Sequence, residues 1–158
     1  MIRRTSVDIP EVLQDVCRAV DAYEIALTSN DLPRLADLFA ANEHVIRYGP
    51  QENLHGAGEI AAFRAARPAG PRPRAVVSRF VTTYGPDLGV AHVEFQLPGR
   101  PTLGRQTQTW VRLEGGWKIV SAHVSYQEEP PSASQVSRDG TQPTPAGPAA
   151  LIGRRGRS

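Results

Sequence analysis

Three turn signals divide the second half of the chain into four segments of strand length. The signals are rich in glycine and proline and stand at Gly85-Pro86-Asp87, Pro98-Gly99 and Glu114-Gly115-Gly116. The segments between them are rich in β-branched and aromatic residues and cover residues 74–85, 89–97, about 102–113 and about 117–126. Because connections this short join antiparallel neighbours, the pattern predicts a mostly antiparallel sheet.

The first part of the chain has the residue spacing of helices instead. Asp8 is a candidate N-cap just before Pro10, a combination typical of a helix start, so we predict a first helix that ends near Thr28. Its apolar stripe recurs every three or four residues, at Leu13, Val16, Val20, Tyr23 and Leu27. Such a stripe is the face that packs on the rest of the domain.

Two further helices and one short strand complete the predicted elements. The second helix begins at Asn30-Asp31 and buries Leu35, Leu38 and Phe39, a strand covers residues 44–49, and the third helix covers residues 56–67. Helices followed by a meander of strands are typical of α+β proteins. We therefore predict an α+β, cone-shaped fold in which the N-terminal helices pack on a curved, mostly antiparallel β-sheet and enclose a pocket.

Composition and charge separate a folded domain, residues 1–129, from a tail, residues 130–158. The tail is rich in proline, glycine and arginine and has little to bury, so we expect it to be disordered. It carries a net charge of +3 against +2 for the whole chain, which leaves the domain nearly neutral and predicts no nucleic-acid partner. No apolar run is long enough to cross a membrane, and the N-terminus lacks a secretory signal, so we expect a cytoplasmic protein.

The sequence lacks the usual signatures of metal and cofactor chemistry. It has no glycine-rich phosphate loop, and its four histidines are spaced too widely to form a ligand pair. Cys17 lies within a helix, where a packing role suits it better than nucleophilic attack. Ser125 and His123 share one face of a regular strand, but nothing indicates the third group of a hydrolase triad. We expect no metal and no other cofactor.

The remaining polar signal comes from arginine. Arg47 lies in a short strand between Ile46 and Tyr48, where a half-buried guanidinium needs either an internal carboxylate or a bound acid. If it converges with other arginines on a cavity, the planar guanidinium groups would bind carboxylates. Other arginines are expected to lie on the surface, namely Arg64, Arg79 and Arg112.

The hairpin over residues 102–126 carries polar residues on both faces. By strand alternation Gln106 and Gln108 share one face, and the opposite face holds Arg105, Thr107 and Thr109. One face lines the cone, and the alternation alone does not decide which. Thr109 and its neighbour Val111 suit a packed interface, which favours Gln106 facing inward.

Two segments together carry a resemblance to a known family. "RYGPQENLHGAGEIAAFRAAR" over residues 47–67 and "GRQTQTWVRLEGGWKIVSAHVS" over residues 104–125 resemble the AtzH-like family, part of the SnoaL-like, nuclear-transport-factor-like superfamily of α+β cone folds. The resemblance covers roughly residues 8–127. It implies a homodimer, because this superfamily tends to pair through one face of the sheet.

The resemblance also implies a reaction and a site. Members act beside amidase-signature hydrolases, which makes such an amidase a possible partner, in catabolism of small nitrogen-rich compounds, including oxalurate. The implied reaction is hydrolysis of a small anionic substrate, a carboxylated urea, of the 1,3-dicarboxyurea to allophanate type. The implied catalytic pair falls on Tyr23 and Arg47, and we predict that the substrate is bound by Arg67, Gln106, His123 and Ser125. Two positions depart from the family pattern near the expected pocket, Ala40 in place of Trp and Thr107 in place of Ser.

Two classes of function remain open besides that hydrolase. One is a non-catalytic ligand-binding or accessory module that holds an unstable intermediate for an amidase. The other is an isomerase or cyclase acting on an apolar polycycle, which would need an apolar cavity with an internal aspartate base. The polar residues predicted for the pocket disfavour the isomerase.

Overall fold

The computed structural model describes residues 5–128, which contain three helices and six strands. In chain order these are α1 (Pro10–Ser29), α2 (Leu32–Leu38), β1 (Ile46–Tyr48), β2 (Asn53–His55), α3 (Gly56–Ala66), β3 (Ala75–Tyr84), β4 (Leu88–Gln96), β5 (Leu103–Leu113) and β6 (Gly116–Tyr126). The strands form one sheet in the order β2-β1-β6-β5-β4-β3, and all neighbours are antiparallel except β1 and β6. The predicted α+β class and the mostly antiparallel sheet are confirmed. Strand β2 was not predicted.

Helix α1 begins and ends for reasons that the sequence only partly revealed. Pro10 occupies its first turn as predicted, but its N-cap is Ile9 and not Asp8. Asp8 instead adopts a positive φ of 54°, and its carboxylate accepts a hydrogen bond of 2.8 Å from the backbone N–H of Thr83. Asp8 therefore ties the start of the helix to β3. At the other end Asn30 takes the left-handed conformation that commonly stops a helix.

The core lies between α1 and the inner face of the sheet. Helix α1 buries Val12, Val16, Val20, Tyr23 and Ala26. The fully buried Trp110 and Ile119 come from the facing positions of β5 and β6. Tyr23 is the polar member of this face, so packing of the apolar stripe also fixes where its hydroxyl points.

A β-bulge interrupts the pairing of β5 with β6. From the turn outward the pairs run as far as Trp110 with Ile119, but the next pair joins Thr109 to Ser121, which leaves Val120 unpaired. One extra residue in a strand moves every later side chain of that strand to the other face. The bulge therefore decides which residues of the second half of β6 point inward.

The predicted tail, residues 130–158, lies outside the described residues, so its predicted disorder stays a prediction. Within residues 5–128, no helix combines the length and the apolar character needed to cross a membrane.

Candidate active site

A cavity of about 410 Å³ opens between α1, α3 and the inner face of the sheet. Its apolar surface comes mainly from Leu27, Phe63, Phe95, Leu97 and Val124. Five arginines belong to the lining, namely Arg47, Arg67, Arg72, Arg74 and Arg100, and Glu52 is the one carboxylate in the described lining. The cavity is therefore strongly basic, although the domain as a whole is close to neutral.

Tyr23 and Gln106 form a fixed pair at the inner end of the cavity. Their side chains are 2% and 3% exposed, and the Gln106 amide nitrogen donates a hydrogen bond of 3.0 Å to the Tyr23 hydroxyl oxygen. The Gln106 amide oxygen cannot take that position, because it already accepts a bond of 2.8 Å from Arg74. Tyr23 thus uses its oxygen as an acceptor towards Gln106 and does not donate its proton to that side chain.

Arg74 is held by a bidentate ion pair. Its Nε and Nη2 donate to the two carboxylate oxygens of Glu24 at 2.7 and 2.6 Å, and its guanidinium lies 4.3 Å from the centroid of the Phe95 ring. Gly104 makes room for that ring, since a Cβ there would lie 2.3 Å from it. These contacts fix Arg74, and through it the orientation of the Gln106 amide.

Arg47 reaches the cavity from β1 and has an internal partner. Its Nη1 donates a bond of 2.6 Å to Glu52, and the two side chains are 11% and 18% exposed. Its guanidinium also lies 5.4 Å from the centroid of the Phe63 ring. The sequence required either an internal carboxylate or a bound acid here, and the structure supplies the carboxylate while leaving Arg47 in the cavity wall.

Tyr23 lies in a field that favours loss of its proton. Burial by itself raises the pKa of the hydroxyl, but several opposing effects together outweigh it. They are, in decreasing order, the charges of Arg64 and Arg74, the hydrogen bond from Gln106 and the charge of Arg47. The pKa of Tyr23 therefore falls below its ordinary value of 10.0, so more phenolate is present near neutral pH than for free tyrosine.

The outer part of the cavity has arginines without acidic partners. Within residues 5–128, no carboxylate lies within salt-bridge distance of Arg67, Arg72 or Arg100. Burial and the neighbouring charges, that of Arg72 foremost, lower the pKa of Arg67. The buried Nε of Arg72 also has no hydrogen-bond acceptor in the described chain. Such a cluster is suited to an anion that brings the missing negative charge.

The AtzH-like family profile matches residues 5–130. The chain belongs to the AtzH-like family. No curated protein matches it.

Solved structures agree with this assignment. A protein of unknown function from Pectobacterium atrosepticum is 50% identical to this AtzH-like chain, with a TM-score of 0.74 over 77% of this chain and 95% of that one. A cystatin-like fold protein from Burkholderia xenovorans is 39% identical, with a TM-score of 0.75 over 80% and 99% of the two chains. A nuclear transport factor 2 (NTF2-like) superfamily protein from Salmonella enterica, 20% identical with a TM-score of 0.65 over 78% and 96%, shares the fold.

The structure brings four of the six predicted site residues of this AtzH-like protein together. Tyr23, Arg47, Arg67 and Gln106 all line the cavity, and Gln106 faces inward, as the interface-like character of Thr109 and Val111 favoured. Their chemical roles stay predictions.

The other two predicted site residues lie elsewhere. His123 is exposed and pairs with Thr107, and Ser125 pairs with Arg105, on the face of the sheet opposite Gln106. Placing His123 and Ser125 in the cavity was therefore wrong. The bulge at Val120 explains why these side chains point away from the cavity. Without it, the pairing that starts at the turn would have placed His123 opposite Gln106, on the inner face.

Arg64 was also misplaced by the sequence analysis. It was expected on the surface, but it is 7% exposed and lies next to the site, with its guanidinium 5.1 Å from the centroid of the Phe39 ring. It follows the buried Ile60 by four residues, so helical spacing could have placed both on one face. Arg79 and Arg112 are exposed as expected.

The two departures from the family pattern lie outside the described cavity lining. Thr107 is on the exposed face of β5, and Ala40 is buried in the core. Three further residues of the cavity lining were not predicted, because they lie in loops where no periodicity fixes the direction of a side chain; they are Arg72, Arg74 and Glu52.

The part of the chain that the structure describes contains no ready-made metal site. Residues 5–128 contain no group of three or more histidine, cysteine, aspartate or glutamate side chains placed to hold an ion.

Proposed function

We propose that this protein hydrolyses a small carboxylated urea of the 1,3-dicarboxyurea type, without a cofactor. One observation carries the proposal: a tyrosine whose oxygen is held as an acceptor opens into a cavity lined by five arginines. A planar substrate with two carboxylates matches the positive charge of that cavity and is small enough to fit inside it.

The reaction balances with water alone. Water adds to a terminal carboxyl carbon, the bond from that carbon to nitrogen breaks, and the nitrogen gains a proton, so that 1,3-dicarboxyurea and water give allophanate and bicarbonate. The Tyr23 oxygen takes a proton from the attacking water and returns it to the departing nitrogen. Arg47 binds the reacting carboxylate and offsets the charge that develops as the water adds.

The residues around this pair have supporting roles. Gln106 holds the Tyr23 oxygen in place, and Arg74 holds Gln106. Arg67 is placed to bind the second carboxylate, since it lines the same cavity and lacks an acidic partner among the described residues. The basic lining, in which the described residues include no aspartate, is poorly suited to an isomerase that acts on an apolar polycycle.

The substrate class predicts a difference between two simple probes. Malonate, a stable dianion with two carboxylates, should bind in isothermal titration calorimetry, and added salt should weaken the binding because salt screens charge. The neutral analogue malonamide should not bind. Arg67→Gln should weaken malonate binding about tenfold or more, since a charged hydrogen bond is lost, whereas the surface variant Arg79→Gln should not. Equal binding of malonate and malonamide would rule out the anion site.

A non-catalytic holding protein would bind malonate equally well. The two classes differ in turnover, because a holding protein leaves the conversion of the carboxylated urea at its spontaneous rate or slows it.

A further inference from the structure

Arg64 is a buried charge without a carboxylate partner in the described chain. Its side chain comes from α3, is 7% exposed, and its Nε has no hydrogen-bond acceptor within residues 5–128. An arginine does not escape this cost by losing its proton, because its pKa is too high. A buried cation of this kind requires a nearby negative charge.

The Tyr23 hydroxyl is the acidic group whose charge acts on the pKa of Arg64, opposing the effect of burial. The two side chains also share a neighbour, since the Phe39 ring lies 5.1 Å from the Arg64 guanidinium carbon and 6.3 Å from the centroid of the Tyr23 ring. Phe39 is 3% exposed, so both side chains lie beside a ring that is shielded from solvent. In a setting with so little water, an ion pair is screened only weakly.

The other cations around Tyr23 are already paired. Arg74 is bound by Glu24 and Arg47 by Glu52, so their effects on the tyrosine are partly cancelled by carboxylates. Gln106 contributes a neutral donor. Arg64 alone among these described neighbours brings a positive charge with no carboxylate bound to it.

We infer that Arg64 is a positioning residue whose buried guanidinium favours the negatively charged form of the Tyr23 oxygen, the form that accepts a proton from water. The phenolate in turn supplies the counter-charge that the buried guanidinium lacks. Arg64 does not line the cavity, so it acts through Tyr23 and not on the substrate. The inference rests on the proposed function only in assigning the Tyr23 oxygen to proton transfer.

The test is a titration that needs no substrate. The ultraviolet absorbance of tyrosinate is followed against pH in the full chain, and the curve of the matching Tyr23→Phe variant is subtracted to isolate Tyr23. In the native chain the Tyr23 transition should have its midpoint below pH 10. In Arg64→Met the midpoint should rise by about 1 to 3 pH units, as expected when a neighbouring opposite charge is removed.

Two further variants make the outcome decisive. Arg64→Lys keeps the charge and should hold the midpoint close to its native position, while the surface variant Arg79→Gln should not move it. If Arg64→Met does not fold, Arg64→Gln provides the same loss of charge with a polar side chain. A midpoint that is equal in the native, Arg64→Met and Arg64→Gln chains would overturn the inference.

The result separates this inference from the proposed function. If the Tyr23 midpoint depends on Arg64 but the protein converts no carboxylated urea, the inferred ion pair stands and the proposed hydrolase fails. If the protein converts the substrate but the Tyr23 midpoint does not depend on Arg64, the proposed hydrolase stands and the inferred ion pair fails.

Discussion

Replacing Tyr23 with phenylalanine should reduce the turnover of 1,3-dicarboxyurea by about 10²–10⁴-fold, the usual contribution of a positioned acid–base group. The phenyl ring keeps its place against Phe39, so the domain should remain folded. Malonate should still bind, because the arginines of the cavity wall are intact. The measurement is the initial rate of allophanate formation, with circular dichroism to confirm the fold.

The matched control for this variant is Tyr84→Phe. Tyr84 is 43% exposed on β3 and does not line the cavity, so removal of its hydroxyl should leave the rate at the native value. A native rate in Tyr23→Phe would remove the tyrosine from the mechanism.

Replacing Arg47 with alanine should lower the rate by about 100- to 1,000-fold, the range seen when one stabilising donor is lost from an active site. The substitution also leaves the Glu52 carboxylate largely buried without its partner, which should destabilise the domain. Initial rates and urea denaturation, measured on the same preparations, report the two effects.

A second variant separates catalysis from folding. In Arg47→Ala combined with Glu52→Gln no unpaired carboxylate remains, so stability should return towards the native value while turnover stays low. Arg112→Ala, on the exposed end of β5, serves as the control for removal of a guanidinium. Recovery of turnover in the double variant would show that Arg47 acts only through stability.

The sequence was sufficient to predict three residues of the site that lie on regular elements. Helical spacing put Tyr23 on the inward stripe of α1, and the suitability of Thr109 and Val111 for a packed interface favoured Gln106 on the inner face of β5. Arg47 stood out because a charge in a short apolar strand demands a partner, and Glu52 is that partner. Each of these predictions depends on local periodicity or on the cost of burying charge.

The parts that were wrong or missed depend on the three-dimensional structure. His123 and Ser125 point away from the cavity because one bulged residue, Val120, inverts the faces of β6, and nothing in the local sequence marks it. The segment between α3 and β3 has no periodicity that fixes the direction of a side chain, yet the fold turns Arg72 and Arg74 into the cavity. Glu24 and Arg74 meet across 50 residues, a pairing that no local pattern contains.

The most direct test of the proposed hydrolase is a time course of freshly generated 1,3-dicarboxyurea, followed by carbon NMR with and without the protein. The account predicts that allophanate and bicarbonate form together, in equal amounts, faster than in buffer, and at a rate proportional to the concentration of protein. It also predicts that the acceleration disappears in Tyr23→Phe. A conversion rate that is the same with the native protein as without it would contradict the hydrolase and favour a protein that only holds the compound.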